Sequence, residues 1–182
     1  MKAWNGGIMA YHRIVVPGRF QPPHLGHLNL IRQALERARE VIIAVGSAQE
    51  SFTPTNPLTA GERIEALTLM LREELGKDYF RVFNISPVPD IAMNKVWVQY
   101  LRMMLPRFDS VITGNELVAI LFEDMGYPVL RPKMYMRGEC SGTLIRKLAV
   151  SGGDWKKCIH PVVAEFLESI GFVERLRRLT RG

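Results

Sequence analysis

Cysteine is scarce in this chain of 182 residues, in which only Cys140 and Cys158 occur. Two cysteines without a C-x-x-C spacing cannot build the disulfide framework of a small secreted domain. A reducing, cytoplasmic setting is therefore expected, with a single bridge between the two left open. Long apolar runs are missing as well: no stretch approaches the roughly 18 residues of a membrane span, and the N-terminus lacks the apolar core of a signal peptide. The sequence predicts a cytoplasmic protein with no membrane partner.

Acidic residues are in the minority, with 18 Asp and Glu against 24 Lys and Arg, which gives a formal net charge of +6. Such a surplus suits a polyphosphate, a nucleic acid or an acidic membrane surface. The basic residues are dispersed, however, and the one dense group, at 174–182, alternates arginine with leucine as an amphipathic helix does. Because no aromatic-rich or zinc-finger pattern accompanies this group, we expect no nucleic-acid partner.

Repeats, low-complexity tracts and Gly/Ser linkers are also absent from the sequence, which leaves one domain at 13–182 behind a loose N-terminal extension at 1–12. Within the domain, short β-branched runs alternate with longer helical patterns, as in a parallel sheet built from βαβ units. The predicted fold is α/β: a single Rossmann-like open parallel sheet of about five strands, flanked by helices and followed by C-terminal helices. Strands are predicted at 14–16, 41–45, 80–85, 110–113 and 128–130, and helices at 24–39, 59–75, 94–105, 116–125, 141–150, 161–170 and 174–179.

Ligands of open parallel sheets bind beyond the carboxyl ends of the strands, and the first such loop carries GRFQPPHLGH. Its two prolines stiffen the approach to a helix start, where free amides attract anions. His24 and His27 share one face of the first helical turn, and Arg19 offers a fork for phosphate oxygens. The stretch predicts a polyphosphate site, yet it matches neither familiar nucleotide loop. A pair of capping or surface histidines, or a metal pair, stays open.

Two later segments carry related chemistry. In CSGTLIRKL, Ser141 or Thr143 can cap a helix that presents Arg146 on the same face. This segment indicates a second phosphate contact or only an ordinary capped helix. In PVPDIAMNKVW, Asn94 and Trp97 lie one turn apart, so an amide and an indole can face one flat ligand unless Trp97 belongs to the core.

Each motif is weak alone, but their order along the chain is specific. A strand, then H-L-G-H, then a late S-x-T-x-x-R in one short α/β domain resembles the nucleotidyltransferase superfamily, which transfers nucleotidyl groups from ATP or CTP. Within it, GRFQPPHLGH, VGSAQES, NPLTAGER, PVPDIAMNKVW and SGTLIR resemble the archaeal type of nicotinamide-nucleotide adenylyltransferase, over roughly residues 13–176. That family joins the AMP moiety of ATP to nicotinamide mononucleotide (NMN), giving NAD and pyrophosphate, with Mg²⁺ on the ATP phosphates.

The resemblance implies a role for each motif residue. His24 and His27 would contact the ATP phosphates, and His27 would stabilise the charge that develops on the α-phosphoryl group. Arg19, Ser141, Thr143 and Arg146 would hold the β- and γ-phosphates, and the two arginines would complete the catalytic set. The implied ATP-binding residues are Gly18, Arg19, Phe20, Gln21, His24, His27, Gly114, Asn115, Ser141, Thr143 and Arg146. The implied NMN-binding residues are Ser47, Gln49, Asp90, Ile91, Asn94 and Trp97, with Trp97 stacked on the nicotinamide, and no metal ligand is expected from the protein.

The sequence departs from that family at several positions. Phe52 stands where relatives often carry histidine, and Leu58 stands where phenylalanine is common. No arginine occurs between residues 48 and 61, where some relatives place one that reaches phosphate. Cys140 and Leu144 replace the usual neighbours of the S-x-T-x-x-R motif, but the motif itself is intact.

The chemistry of the implied reaction fits a site without a nucleophile, base and acid triad. A phosphate monoester oxygen is already anionic near neutral pH, so positioning and charge neutralisation carry catalysis, with the histidines as cationic or neutral donors. The family also implies a homo-oligomer, commonly a hexamer. Two alternatives stay open: a superfamily member with another acceptor, such as phosphopantetheine or glycerol phosphate, and a non-catalytic nucleotide-sensing or nucleic-acid-binding protein.

Overall fold

The computed structural model describes residues 9–133, 135 and 140–181, in which five parallel strands form one sheet. The strands are β1 (Tyr11–Gly18), β2 (Ala38–Val45), β3 (Val82–Pro87), β4 (Ser110–Ile112) and β5 (Val129–Leu130), in the spatial order β3-β2-β1-β4-β5. The helices are α1 (Leu25–Leu35), α2 (Ala60–Leu75), α3 (Trp97–Met104), α4 (Glu116–Asp124), α5 (Gly142–Ser151), α6 (Pro161–Ser169) and α7 (Phe172–Arg181). This arrangement confirms the predicted fold class.

Both faces of the sheet are buried, which explains why its central strands read as continuous apolar runs. Successive side chains of β1 point to opposite faces, so Ile14 and Val16 pack into one core while Val15 packs into another. The first core contains side chains of α1, α2, α5, α6 and α7. The second contains side chains of α3 and α4. The C-terminal helices are therefore part of the main core.

Several element boundaries differ from the prediction. The first helix ends at Leu35, four residues early, because Ala38 pairs with Tyr11 and the chain from Ala38 onward joins β2. Phe80 lies in a 3-10 turn at Gly76–Arg81, so β3 begins at Val82. Strand pairing overrides the helical periodicity of the segment after Leu35. The predicted N-terminal extension overlaps β1 at residues 11–12, and residues 1–8 lie outside the described part.

The topology places a crevice beside β1. The chain winds from β1 to β2 and β3 in one direction and then crosses to β4 and β5 on the other side. The winding direction therefore changes between β1 and β4, and in such sheets ligands bind outside the carboxyl ends of the strands at this point. The loops that follow β1, β2, β3 and β4 all open at the same edge.

The two cysteines form a disulfide, an arrangement that the sequence leaves open. Cys140 precedes α5 and Cys158 ends the 3-10 turn Trp155–Cys158 that follows it, with 5.4 Å between the Cα atoms. The bridge therefore joins the segment that precedes α5 to the turn that follows this helix. Among the residues described, no helix combines the length and the apolar character needed to cross a membrane.

Candidate active site

The two histidines of the β1–α1 loop cap α1 with their side chains. Nδ1 of His24 accepts the backbone N–H of Gly26 at 3.1 Å, and Nδ1 of His27 accepts the N–H of His24 at 3.2 Å. The two rings lie 3.7 Å apart between centroids. Since Nδ1 of each ring is an acceptor, the proton of each neutral imidazole is on Nε2, which remains a donor. The capping interpretation and the ligand interpretation are thus compatible.

Both histidines are neutral at pH 7. Burial lowers the pKa of His24 from 6.5 to about 4. The pKa of His27 also lies well below its ordinary value, first because of burial and then because two protonated imidazoles so close together would repel each other. Of the two protonation states left open by the sequence, the neutral donor is the one that this structure supports.

Phe20 lies beneath His27 instead of in the open loop. Its ring is 1% exposed and stands 4.6 Å from the His27 ring, with the backbone of Phe20 at a φ of 52°. A Cβ atom at Gly18 would come within 2.9 Å of the Phe20 ring, so glycine is needed there. The Gln21 side chain is also turned inward, where it hydrogen-bonds to the backbone of Leu58. The side chains of these two predicted ATP-binding residues are therefore engaged within the protein.

Helix α5 closes on the β1–α1 loop through Arg146. Its Nη1 donates to the Gln21 carbonyl at 2.6 Å, and its Nη2 lies 3.4 Å from the Thr143 hydroxyl. Burial lowers the pKa of Arg146, and the positive charge of Arg19 lowers it further. The Ser141 hydroxyl caps α5 by accepting the N–H of Leu144 at 3.2 Å. The helix is therefore both an ordinary capped helix and a neighbour of the histidines.

Gly142 is a site residue that sequence reasoning missed. A Cβ atom at this position would lie 2.8 Å from the Gln21 carbonyl oxygen and 3.3 Å from Nη1 of Arg146. Only glycine permits this close approach of α5 to the loop. The signal was present, because a glycine in the first turn of a helix lowers helix propensity and usually has a packing reason.

Most of the predicted phosphate-binding side chains line one pocket at the crevice, and Ser141 lines the pocket next to it. The volume of the first pocket is about 160 Å³, and its lining is Arg19, Phe20, Gln21, His24, His27, Gly142, Thr143 and Arg146. An adjoining pocket of about 290 Å³ shares His24 and His27 and adds Gly114 and Ser141. The Asn115 side chain is engaged elsewhere, since its oxygen caps α4 by accepting the N–H of Val118 at 3.2 Å. The structure thus brings together residues predicted from two separate motifs, GRFQPPHLGH and CSGTLIRKL, with Gly114 beside them.

The loops after β2 and β3 are joined by hydrogen bonds that Asp90 makes with Ser47 and Gln49. The Asp90 carboxylate accepts the N–H of Ser47 at 3.3 Å and the side-chain amide of Gln49 at 3.2 Å. The Gln49 side-chain oxygen in turn accepts the N–H of Asp90 at 2.9 Å. Three of the predicted NMN-binding residues therefore form one cluster, in which the amide of Gln49 is already engaged with Asp90.

The other three residues predicted to bind NMN lie after β3. Ile91 is half-buried, and Asn94 is exposed in a 3-10 turn at Asn94–Val96. The predicted helix at 94–105 would have held both Asn94 and Trp97, but α3 begins only at Trp97. The Trp97 ring makes an edge contact with the Phe122 ring, at 6.1 Å between the centroids. Among the residues that the structure describes, the two pockets lined by His24 and His27 include neither Asn94 nor Trp97. Their contact with a ligand stays a prediction.

A buried arginine, Arg63, connects these two regions and was not predicted as a site residue. Its guanidinium donates to the backbone carbonyls of both Arg19 and Ser47. Burial lowers the pKa of Arg63, and the positive charge of Arg19 also lowers it. The negative charge of Asp90 acts in the opposite direction without reversing the shift. The sequence signal was the arginine of NPLTAGER, one turn after the Thr59 cap. The residue that replaces the family histidine, Phe52, lies under the guanidinium of Arg175, at 4.7 Å.

Acidic ligands for a metal ion do not gather at this site. In the parts of the chain that are described, no group of three or more His, Cys, Asp and Glu side chains has the arrangement of a metal site. The charged side chains in the pocket are arginines, and the imidazoles are neutral, so the pocket is suited to anions. A divalent ion would fit here on the phosphates of a nucleotide, because Mg²⁺ is commonly held by substrate phosphates and water.

Known proteins are similar to this chain in sequence and in fold. A nicotinamide-nucleotide adenylyltransferase of Aeropyrum pernix is 65% identical over 168 residues, covering 92% of this chain and 96% of that protein. One of Ignicoccus hospitalis is 45% identical, covering 93% and 98%. Among solved structures, a bifunctional NMN adenylyltransferase/ADP ribose pyrophosphatase of Francisella tularensis, complexed with AMP and a manganese ion, has a TM-score of 0.78. It is 23% identical over 93% of this chain and 52% of that chain, which supports the fold alone.

The family assignment rests on the close relatives together with a family-level match. The sequence model of the cytidylyltransferase-like family matches residues 15–148, which hold both the histidine loop and Arg146. The relatives cover nearly the whole chain, and their sequence identity is far above the level at which only the fold is shared. This chain belongs to the cytidylyltransferase-like family and, within it, to the archaeal nicotinamide-nucleotide adenylyltransferases.

Proposed function

We propose that this protein is an NMN adenylyltransferase, which joins the AMP moiety of ATP to NMN and releases pyrophosphate. The observation that carries the proposal is the pocket in which Arg19, both histidines, Thr143 and Arg146 meet at a helix start. A helix start with cationic forks and imidazole donors binds a polyphosphate. The names of the close relatives support the choice of ATP and NMN as the two substrates.

The reaction is a direct displacement at phosphorus. An oxygen of the NMN phosphate forms a bond to the α-phosphorus of ATP, and the bond from that phosphorus to the α,β-bridging oxygen breaks. The electron pair of that bond leaves with pyrophosphate, and no proton has to be removed from the attacking oxygen. Catalysis then depends on aligning the two phosphates and stabilising the charge on the transferring group.

The residues of the pocket divide this work. The Nε2–H groups of His24 and His27 donate to oxygens of the α-phosphoryl group, where charge develops in the transition state. Arg19 and Arg146 hold the β- and γ-phosphates from opposite sides, with the Thr143 hydroxyl beside them. The second pocket, next to Gly114 and Ser141, receives the adenosine. Mg²⁺ carried by ATP adds further charge neutralisation to the phosphates.

NMN enters from the side of β2 and β3. The cluster of Ser47, Gln49 and Asp90 borders it, and the indole of Trp97 supplies a flat surface for the nicotinamide. Asn94, exposed one turn before Trp97, reads the carboxamide together with the backbone of Ile91. The proposed location is the cytoplasm, as the sequence predicts. The disulfide is compatible with this location, because disulfides also occur in some intracellular proteins. We also propose that the protein assembles into a homo-oligomer, for which a hexamer is the candidate form.

The test supplies the purified protein with ATP, Mg²⁺ and NMN and measures NAD formation with a coupled dehydrogenase. Pyrophosphate release is measured in the same mixtures, because this product is common to all the acceptors. Parallel reactions replace NMN with nicotinic acid mononucleotide, 4′-phosphopantetheine or glycerol 3-phosphate, and replace ATP with CTP. We expect pyrophosphate release with ATP and a pyridine mononucleotide. Release only with another acceptor would contradict the proposal, and ATP binding without release in any mixture would indicate a nucleotide sensor.

A further inference from the structure

Arg63 is the largest fully buried side chain in the described part of the protein, and it has four backbone carbonyls around its guanidinium. Nε donates to Thr59 at 3.1 Å, and Nη2 donates to Ser47 at 3.1 Å. Nη1 donates to Arg19 at 2.9 Å and to Gly46 at 2.7 Å. These carbonyls come from three segments: the exit of β1, the exit of β2 and the start of α2. A guanidinium, with five donors in a fixed plane, is suited to join carbonyls from several directions.

The carbonyls that Arg63 holds adjoin two residues with unusual backbones. Phe20 and Ser47 both have positive φ, 52° and 49°, although neither is glycine. Such conformations persist only where the surrounding structure imposes them, and they concentrate at functional sites. The peptide groups that precede Phe20 and Ser47 are those whose oxygens bond to Arg63. One side chain therefore fixes the peptide planes on which both of these φ angles depend.

Each of the two residues supports a different half of the site. Phe20, held at its positive φ, places its ring against His27 at 4.6 Å. Ser47 donates its N–H to the Asp90 carboxylate at 3.3 Å, which joins the loops on the NMN side. Arg63 thus contacts the backbone of the ATP half and of the NMN half of the site at once.

We infer that Arg63 is a positioning residue, which sets the alignment of the NMN phosphate with the α-phosphorus of ATP by holding the exits of β1 and β2 in register. The inference rests on the proposed function. Because displacement at phosphorus requires the two reacting groups to be in line, a misalignment of about 1 Å reduces turnover by about a hundredfold. Each half of the site still binds its own substrate when the two halves are misaligned. Loss of this residue therefore lowers kcat more than it weakens either substrate alone.

The test compares Arg63→Lys and Arg63→Met with Arg72→Lys. Arg72 is exposed on the same helix and serves as the matched control. Lysine keeps the buried charge with three donors in place of five, and methionine removes the charge at similar volume. We expect kcat to fall about tenfold or more in Arg63→Lys and about a hundredfold or more in Arg63→Met. The Kd of ATP and that of NMN, each measured alone by calorimetry, should stay within about threefold, with unchanged stoichiometry. Arg72→Lys should match the wild type.

A second measurement tests the route through the strained backbone. Glycine adopts positive φ without strain, so Ser47→Gly should make the loss of kcat caused by Arg63→Lys smaller than it is in the Ser47 background. Unchanged kcat in both Arg63 variants would overturn the inference. A fall in binding stoichiometry that matches the fall in kcat, or failure of Arg63→Lys to fold, would overturn it as well, because Arg63 would then act only on stability. Absence of NAD formation by the wild type would instead contradict the proposed function.

Discussion

The histidines of the β1–α1 loop use one ring nitrogen for the fold and leave the other for a ligand. Because the Nδ1 atoms accept backbone N–H groups, protonation of either ring would break a cap of α1. Burial acts in the same direction, since a charged imidazole is costly in a site with little solvent. The helix cap and the low pKa together preorganise a pair of neutral donors, as the proposed contact with the ATP phosphates requires.

The loss of the His27 donor should lower the rate of the chemical step. We expect His27→Ala to reduce kcat at least a hundredfold, because the interaction with the α-phosphoryl group is strongest in the transition state. The Kd of ATP should change by less than about threefold. His27→Gln, which retains a donating N–H group, should recover part of the rate, and His12→Ala, an exposed histidine on β1, serves as the control. A loss below about tenfold in His27→Ala, roughly 1.4 kcal/mol of barrier, would contradict the role assigned to His27.

The low pKa of His24 should make the protein less stable in acid. A histidine with a pKa of about 4 in the folded state and about 6.5 in the unfolded state is protonated first in the unfolded chain. Its contribution to stability is therefore complete above pH 6.5 and is lost as the pH falls towards 4. The change amounts to about 3 kcal/mol between pH 7.5 and 4.0.

This pH dependence is measured by urea unfolding of the wild type and of His24→Asn at both pH values. The asparagine oxygen can still accept the N–H of Gly26 but does not titrate. We expect the stability lost between pH 7.5 and 4.0 to be smaller in His24→Asn by about 2 to 3 kcal/mol. Equal losses in the two proteins would show that His24 titrates normally in the folded state.

At the scale of elements, α7 holds the loop between β2 and α2. Arg175 of α7 forms a bidentate ion pair with Glu62, at 2.7 and 2.8 Å, and donates to the Pro57 carbonyl at 3.2 Å. Its guanidinium also covers the Phe52 ring. Burial raises the pKa of Glu62, but the hydrogen bonds and charge of Arg175 and the bonds with Thr59 outweigh this effect and leave that pKa below 4.5. The last helix thus supports the start of α2, the helix that carries Arg63.

Removal of this ion pair should destabilise the protein. We expect Arg175→Met to lower the free energy of unfolding by about 2 kcal/mol, because both partners are largely buried and Glu62 would be left without its cation. Arg178→Met, an exposed position one turn further along α7, should change it by less than about 0.5 kcal/mol. The measurement is urea unfolding at pH 7.5. Equal stabilities of the two variants would mean that the pair with Glu62 adds nothing beyond a surface contact.

The sequence predicted elements better than their ends and their partners. Local patterns were sufficient for the start of α2, predicted at residue 59, because the capping box of Thr59 and Glu62 that begins this helix involves only neighbours in the chain. The early end of α1 was not predictable from periodicity, since it follows from the pairing of Ala38 with Tyr11, 27 positions apart. The role of Arg63 was not predictable from local patterns either, because the carbonyls of Arg19 and Gly46 that it binds lie 44 and 17 positions away in the chain.

At the scale of the whole molecule, the C-terminal helices are joined to both the core and the phosphate site. Side chains of α5, α6 and α7 belong to the same core as those of α1 and α2. The α5 side chain Arg146 crosses to the Gln21 carbonyl, 125 positions earlier in the chain. The fold thus brings motifs from both ends of the domain together at the carboxyl edge of β1, where the phosphate site is proposed. The disulfide strengthens this closure, and the composition alone had left it undecided.

The Cys140–Cys158 bridge should contribute measurably to stability. It closes a segment with a sequence separation of 18, and a bridge over a loop of that length stabilises a protein by about 3 kcal/mol, chiefly by restricting the unfolded chain. We expect Cys140→Ser/Cys158→Ser to unfold at a lower urea concentration, with a loss of about 2 to 4 kcal/mol. Because Cys140 directly precedes the Ser141 cap of α5, the KM for ATP should rise more than the KM for NMN. Reduction of the wild type with dithiothreitol should reproduce both effects and should leave the double variant unchanged. Two free thiols in the purified wild type, together with a stability that does not respond to dithiothreitol, would show that the bridge does not form in solution.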